Sequence, residues 1–266
     1  MCFPKFAPPN QKKLKMKNLL MALCAVFAIT TSFYLSPTTT KINSNNPKNS
    51  DTLQTDTSFS ESENTKISAS EALYASLDFG GHFLNKDVFT KALNGFEKLK
   101  TSGKISSDCH LLTVCDFSLS SNTKRLWVID TQEGKILFNS LVAHGMGTGE
   151  EFAEKFSNTD SSHQSSLGFY ITESTYNGNN GYSLKLIGMD KGFNDAAYKR
   201  AVVMHGADYV SEDFAKQHKR IGRSWGCPAV PRDLAAPIIN TIKQNNVLFI
   251  YYPDQNYLNS SEWLKS

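Results

Sequence analysis

Apolar and polar positions change their rhythm several times along this chain. Residues 19–35, LLMALCAVFAITTSFYL, form a continuous apolar run. Residues 36–70 are rich in Ser, Thr and Asn and nearly free of large apolar side chains. Such a segment buries too little surface to offset the entropy of ordering it, so it reads as a disordered tether. A helical rhythm follows. SASEALYASL offers Ser68 as an N-cap with Glu71 three residues on, the pattern of a capping box. NKDVFTKALNGFEKLKTSG places Val88, Ala92, Leu93, Phe96 and Leu99 on one stripe, with Asn85 as N-cap and Gly103 beyond the end. That stripe predicts a helix lying on a sheet.

Beyond Ile105 the period shortens. LLTVCDFSL, KRLWVID, KILFNSLVAHG, SLGFYITES, YSLKLIG, RAVVMHG and VLFIYY are β-branched and aromatic runs parted by turn residues such as Thr131 to Gly134. Two short helices interrupt them: SEDFAKQ with Ser211 as cap, and PIINTIKQ, where Pro237 suits a first helical position. Many strands and few helices predict a mostly β domain of α+β type, a sheet curled on itself with short peripheral helices. The chain then divides into a leader (1–35), a tether (36–70), a helical lead-in packed on the domain (71–104), the β-rich domain (105–254) and a C-terminal tail (255–266).

Composition adds a location. The 266 residues are 40% hydrophobic and 11% aromatic, ample for a globular core, and carry a formal charge of only +3. No basic stripe interleaved with aromatics and no glycine-rich phosphate loop is present, which argues against a nucleic-acid partner. Lys12, Lys13, Lys15 and Lys17 precede the apolar run, as in an export signal, with Met16 an alternative start. The run is short for a spanning helix of about 20 apolar residues. The expectation is export to the periplasm or cell envelope, soluble after cleavage or held by an N-terminal membrane anchor. In that compartment the five cysteines matter. Cys109 and Cys115 sit on one predicted strand roughly 20 Å apart, too far for a disulfide, and Cys227 is left as a free thiol.

Cys227 and His205 are the candidate chemistry. A thiol attacks as thiolate, and an unperturbed cysteine with a pKa near 8.5 needs a base or a positive neighbour at pH 7. His205 ends the apolar run AVVM, and Gly206 lets the chain turn beside it. Gly226 precedes Cys227, so amides near Trp225, Gly226 and Cys227 can approach a reacting carbonyl as an oxyanion hole. Ser224 flanks the site, and Arg223 suits a substrate carboxylate. Two bland alternatives stand beside this reading: a chance His–Cys pair on surface loops, and a zinc site drawing on His205, His218 and Cys227, although no close ligand pair supports a metal.

The segment MHGADYVSEDFAKQHKRIGRSWGCPAV resembles the signature of the murein L,D-transpeptidases, the YkuD-like catalytic domain, in a branch with Ser-Trp-Gly-Cys-Pro. VAHG, KFSN, SHQSSLGFY and GFNDAA resemble that branch too, so the likeness covers about residues 70–252. It implies an L,D-transpeptidase-like curled β-sheet or β-sandwich. It implies Cys227 as the acylated nucleophile, His205 as its base, Gly206 as the residue whose carbonyl orients the imidazole, and Ser224 and Gly226 as flanking motif. The implied substrate is a peptidoglycan stem peptide and no cofactor is needed. The acyl group passes through a thioester to an amine, giving a 3→3 cross-link, or to water, giving an L,D-carboxypeptidase. Trp225 replaces the usual motif histidine, and Pro228-Ala229 stands where the common branch runs on to Arg or Asn. Two rivals remain: a sortase-like transpeptidase, which needs an arginine on a strand after the cysteine where only Arg232 follows, and a non-catalytic peptidoglycan-binding domain.

Overall fold

A computed structural model describes residues 69–265. The expected leader, Ser68 and most of the expected tether lie outside the described residues. Helix α1 occupies 69–76, and its Glu71 pairs with Lys86 at 2.7 Å. Lys86 opens α2 (Lys86–Thr101), where the Asn85 side chain accepts from the Asp87 and Val88 amides, and Gly103 follows with φ +70°. The predicted stripe is buried in full, joined by Phe89 and Gly95. Gly95 matters because a Cβ there would stand 2.1 Å from the Phe169 ring, so its absence lets α2 settle on the sheet. No helix among the described residues is long and apolar enough to cross a membrane.

The strands are β1 (Leu111–Asp116), β2 (Leu126–Asp130), β3 (Lys135–Ser140), β4 (Gly168–Gly178), β5 (Gly181–Gly188), β6 (Val203–Ala207), β7 (Ala229–Pro231) and β8 (Val247–Tyr251). They form one eight-stranded sheet in the order β3-β2-β1-β8-β4-β5-β6-β7. Most pairs are antiparallel; β1 with β8 and β6 with β7 are parallel. The central strands read as continuous apolar runs because both faces are covered: Phe169 and Phe249 stack at 4.2 Å beneath α2. The chain leaving the edge strand β3 does not end there. Ala143 bridges Ala229 of β7 at the opposite edge, and Gly145 bridges Ser224. One segment thus spans both edges and curls the sheet, as the strand pattern predicts.

Helix α3 (Glu212–His218) has Ser211 accepting from the Phe214 amide, as expected. Helix α4 corrects an expectation. It runs Arg232–Ile242 with Pro231 at its cap, so Pro237 lies inside it rather than at its first position. The apolar stripe of Ala235, Ile238, Ile239 and Ile242 holds the helix on β6 and outweighs the hydrogen bond that proline removes. The residues expected as a tail form helix α5 (Gln255–Ser260) and bury Tyr257 and Trp263. Asp190 anchors them: its carboxylate accepts from the Phe169 amide at 2.7 Å and from the Ser261 and Tyr257 hydroxyls. Trp263 donates its indole N–H to the Met189 carbonyl at 2.9 Å. Truncating this anchor removes a large buried ring, so Trp263→Ala should lower stability by about 3 kcal/mol, read as a shift in urea midpoint at unchanged slope.

Candidate active site

The closure of the sheet positions the candidate chemistry. His205 lies in β6 between Ser183 of β5 and Ala229 of β7, and only 4% of it is exposed. Its Nδ1 lies 3.2 Å from the Gly206 carbonyl. A carbonyl only accepts, so Nδ1 carries the hydrogen and Nε2 keeps its lone pair. Burial pushes the imidazole below its ordinary pKa of 6.5; the Gly206 carbonyl opposes this and Arg232 adds to it. His205 is therefore a neutral base at neutral pH. Gly206 has no room for a side chain, since a Cβ would meet Ala235 at 2.7 Å.

Cys227 is half-buried and lies two residues before Ala229, the strand partner of His205. The Val203 amide donates to Sγ at 3.5 Å, and the thiol reaches toward the Ala201 carbonyl at 3.9 Å. Burial pushes the thiol up, while the Val203 N–H and the positive charge of Arg200 pull it back. The resting pair is accordingly thiol and neutral imidazole. No hydrogen bond joins the two side chains among the described residues.

The turn before Cys227 is tightly wired. Ser224 Oγ donates to the Cys227 carbonyl at 2.6 Å and accepts from the Gly226 amide at 3.1 Å. The Gly226 amide is thus occupied, contrary to its expected place in an oxyanion hole. Gly226 has φ +120°, and a Cβ there would stand 2.8 Å from the Gln164 carbonyl oxygen. Ser165 Oγ donates to the Gly226 carbonyl at 3.1 Å and accepts from the Gly145 amide at 3.0 Å. Trp225 is 74% exposed and stacks on His163, ring centroids 5.1 Å apart and planes 10° from parallel. Arg223 donates to Glu150 at 2.6 Å and to the Gly149 carbonyl at 3.0 Å. It clamps the neighbouring loop instead of presenting an unpaired guanidinium.

A family model described as an L,D-transpeptidase catalytic domain matches residues 81–251, which takes in the whole of this site. The chain belongs to that family. No curated protein sequence matches it. Solved structures similar to it include an L,D-transpeptidase from Mycobacterium smegmatis, 13% identical with a TM-score of 0.33, covering 54% of this chain and 59% of that one. L,D-transpeptidase 1 of Mycobacterium tuberculosis is 12% identical with a TM-score of 0.31, over 54% and 62% of the two chains. An L,D-transpeptidase from Stackebrandtia nassauensis is 12% identical with a TM-score of 0.34, over 71% and 92%. The match to the two mycobacterial proteins therefore spans about three fifths of their length.

Within this L,D-transpeptidase domain several site residues carry no local sequence signal. Arg200 donates to the Ser157 and Gln164 carbonyls and to the Ser166 and Ser162 hydroxyls, tying the 157–166 loop to the turn at Gly226. Arg125 is fully buried; it donates to the Val142 and Leu119 carbonyls and to His144 Nδ1 at 2.8 Å. That bond fixes the hydrogen of His144 on Nε2, which faces the Gly149 and Glu150 carbonyls. The His144 carbonyl accepts from the Ser224 amide at 3.0 Å. A buried cation thus orders the loop that supports the turn before Cys227.

The zinc alternative finds no support, because no three His, Cys, Asp or Glu side chains converge among the described residues. His218 packs on Phe214 in α3, ring centroids 4.2 Å apart. Arg232 opens helix α4 and pairs with Asp208 at 2.8 Å, so it does not supply the strand arginine of a sortase. Cys109 and Cys115 are both free and buried.

His144 makes stability depend on pH. Burial, with Arg125 beside it, holds its pKa at about 4 against an ordinary 6.5. The unfolded chain takes that proton first as pH falls, so its contribution is full above 6.5 and drains away toward about 4. Asp190, raised to about 6 by burial, works in the opposite sense between 3.8 and 6, so the test is a comparison. Wild type should lose about 2 kcal/mol more than His144→Asn between pH 7 and pH 4, measured by urea unfolding at each pH.

Proposed function

We propose that Cys227 is the nucleophile and His205 the general base of an acyl transfer from peptidoglycan stem peptides. The observation that carries this is the fixed tautomer of His205. Its Nδ1–H is held by Gly206, leaving a basic nitrogen on β6, beside the strand β7 into which Cys227 leads. Membership of the L,D-transpeptidase family supports the substrate class, and the leader at 1–35, read as an export signal or anchor, would place the domain where that polymer lies.

Because both groups rest neutral, the thiolate is made during attack rather than stored. The imidazole takes the thiol proton as sulfur adds to the peptide carbonyl. With the Gly226 amide engaged by Ser224, the developing oxyanion falls in this reading to the amides of Trp225 and Cys227. Collapse breaks the C–N bond, His205 returns the proton to the leaving amine, and a thioester on Cys227 remains. An acceptor amine, deprotonated by Nε2, attacks the thioester and completes the cross-link. Water in its place makes the same site an L,D-carboxypeptidase.

Tetrapeptide stems incubated with the chain and followed by mass spectrometry should yield a Cys227 acyl-enzyme and a released D-amino acid, with cross-linked or hydrolysed product naming the acceptor. Cys227→Ala should lose both, and His205→Gln should slow acylation by about 10²–10⁴-fold, the usual range for a general base. Acylation rate in wild type should fall on an acid limb below pH 6.5, as His205 is protonated, and hold steady to pH 8. Products unchanged in Cys227→Ala would end the nucleophile assignment.

A further inference from the structure

The sulfur of Cys227 sits in a cradle built by the chain just ahead of β6, and that cradle has a charge with no ion-pair partner among the described residues. The Ala201 carbonyl and the Val203 amide both approach Sγ, at 3.9 and 3.5 Å. Ala201 takes φ +54°, a left-handed conformation uncommon for a residue with a Cβ, and strain of this kind collects at functional sites. Arg200 immediately precedes it. The guanidinium makes four hydrogen bonds, and every acceptor is neutral: the Ser157 and Gln164 carbonyls and the Ser166 and Ser162 hydroxyls. Its Nε–H is shut away from water with no hydrogen-bond partner among the described residues.

A partly buried cation without a counter-ion is unfavourable unless something negative arrives. Two anions are conceivable in this site. A substrate carboxylate would need free donors, yet both terminal nitrogens of Arg200 are occupied and Nε is enclosed. The thiolate needs only the field. Nη2 lies 3.6 Å from where a Cβ on Gly226, the residue before Cys227, would stand. The other titratable groups near the sulfur bring no positive charge at neutral pH: His205 is held neutral, and burial raises Tyr209 to about 12.

We infer that Arg200 is a positioning residue for the thiolate: its uncompensated charge, set behind the Gly226–Cys227 turn, stabilises the sulfur anion as the proton leaves for His205. It also holds the Gln164 carbonyl against Gly226, so one side chain shapes the turn and supplies its field. This deepens the reading of Cys227 as nucleophile and rests on it. It also accounts for the absence of an arginine just after the cysteine, where Pro228 and Ala229 stand. The positive charge comes from the turn ahead of β6, not from the motif.

The two contributions of Arg200 separate in a thiol titration that needs no substrate. The rate of iodoacetamide alkylation at Cys227, located by mass spectrometry, is followed against pH in the full chain. Arg200→Gln keeps hydrogen-bond donors and removes charge; it should slow alkylation near neutral pH about tenfold and raise the midpoint by about one unit. Arg200→Lys keeps charge and loses the fork; its midpoint should stay near wild type. A Gln variant titrating as wild type overturns the inference. So does a Lys variant displaced as far as Gln, which would make the loop bonds the whole effect. If Arg200→Gln folds poorly, the pair is repeated on Ala201→Gly, which relieves the left-handed residue. A chain that labels as expected but acylates with no stem peptide overturns the functional proposal and leaves this one standing.

Discussion

The hydrogen bond from the Ala143 amide to the Ala229 carbonyl, 2.8 Å long, joins the two edges of an eight-stranded sheet. Everything at the site is hung from that seam. The segment that makes it continues to Gly145, which abuts Gly226 so closely that a Cβ on Gly145 would stand 2.9 Å from the Gly226 backbone. Beneath it Arg125 and His144 fix the path of the loop from inside the core. A cysteine in an open sheet would be a surface thiol on an edge; here it is enclosed by chain from three separate stretches of sequence.

That enclosure has an electrostatic character of its own. Burial raises the thiol and lowers the imidazole, so each group separately favours its uncharged form. The protein therefore does not hold a standing thiolate–imidazolium pair between Cys227 and His205. It keeps a proton on sulfur, a vacant lone pair on Nε2, and positive charge at Arg200 behind the turn. In the proposed reaction such an arrangement favours charge only as it develops.

How much of this was legible in the sequence follows from which interactions are local. The α2 stripe, the Asn85 cap and the Ser211 cap are set by neighbours within a few positions, and the structure has them where the pattern places them. The strands of the β-rich block are read from their own apolar runs. His205 and Cys227 stand out because glycines flank them and because the motif around them resembles a family. What escaped notice is non-local. β7 is three residues long and exists only because β6 and the 141–145 segment pair with it. Helix α5 depends on Asp190, far earlier in the chain, and α4 admits Pro237 because its buried face decides the matter. Arg200 and Arg125 look like ordinary basic residues until the fold surrounds them with carbonyl and hydroxyl oxygens.

The chain has three tryptophans, and two of them, Trp127 and Trp263, are sealed in the core. Trp225 is the indole in contact with solvent, held face to face with the His163 ring two positions ahead of the sulfur. Light emitted from that ring is sensitive to the water and the imidazole beside it. The domain thus carries its own optical gauge at the Cys227 turn, able to register the arrival and departure of a guest without any attached dye.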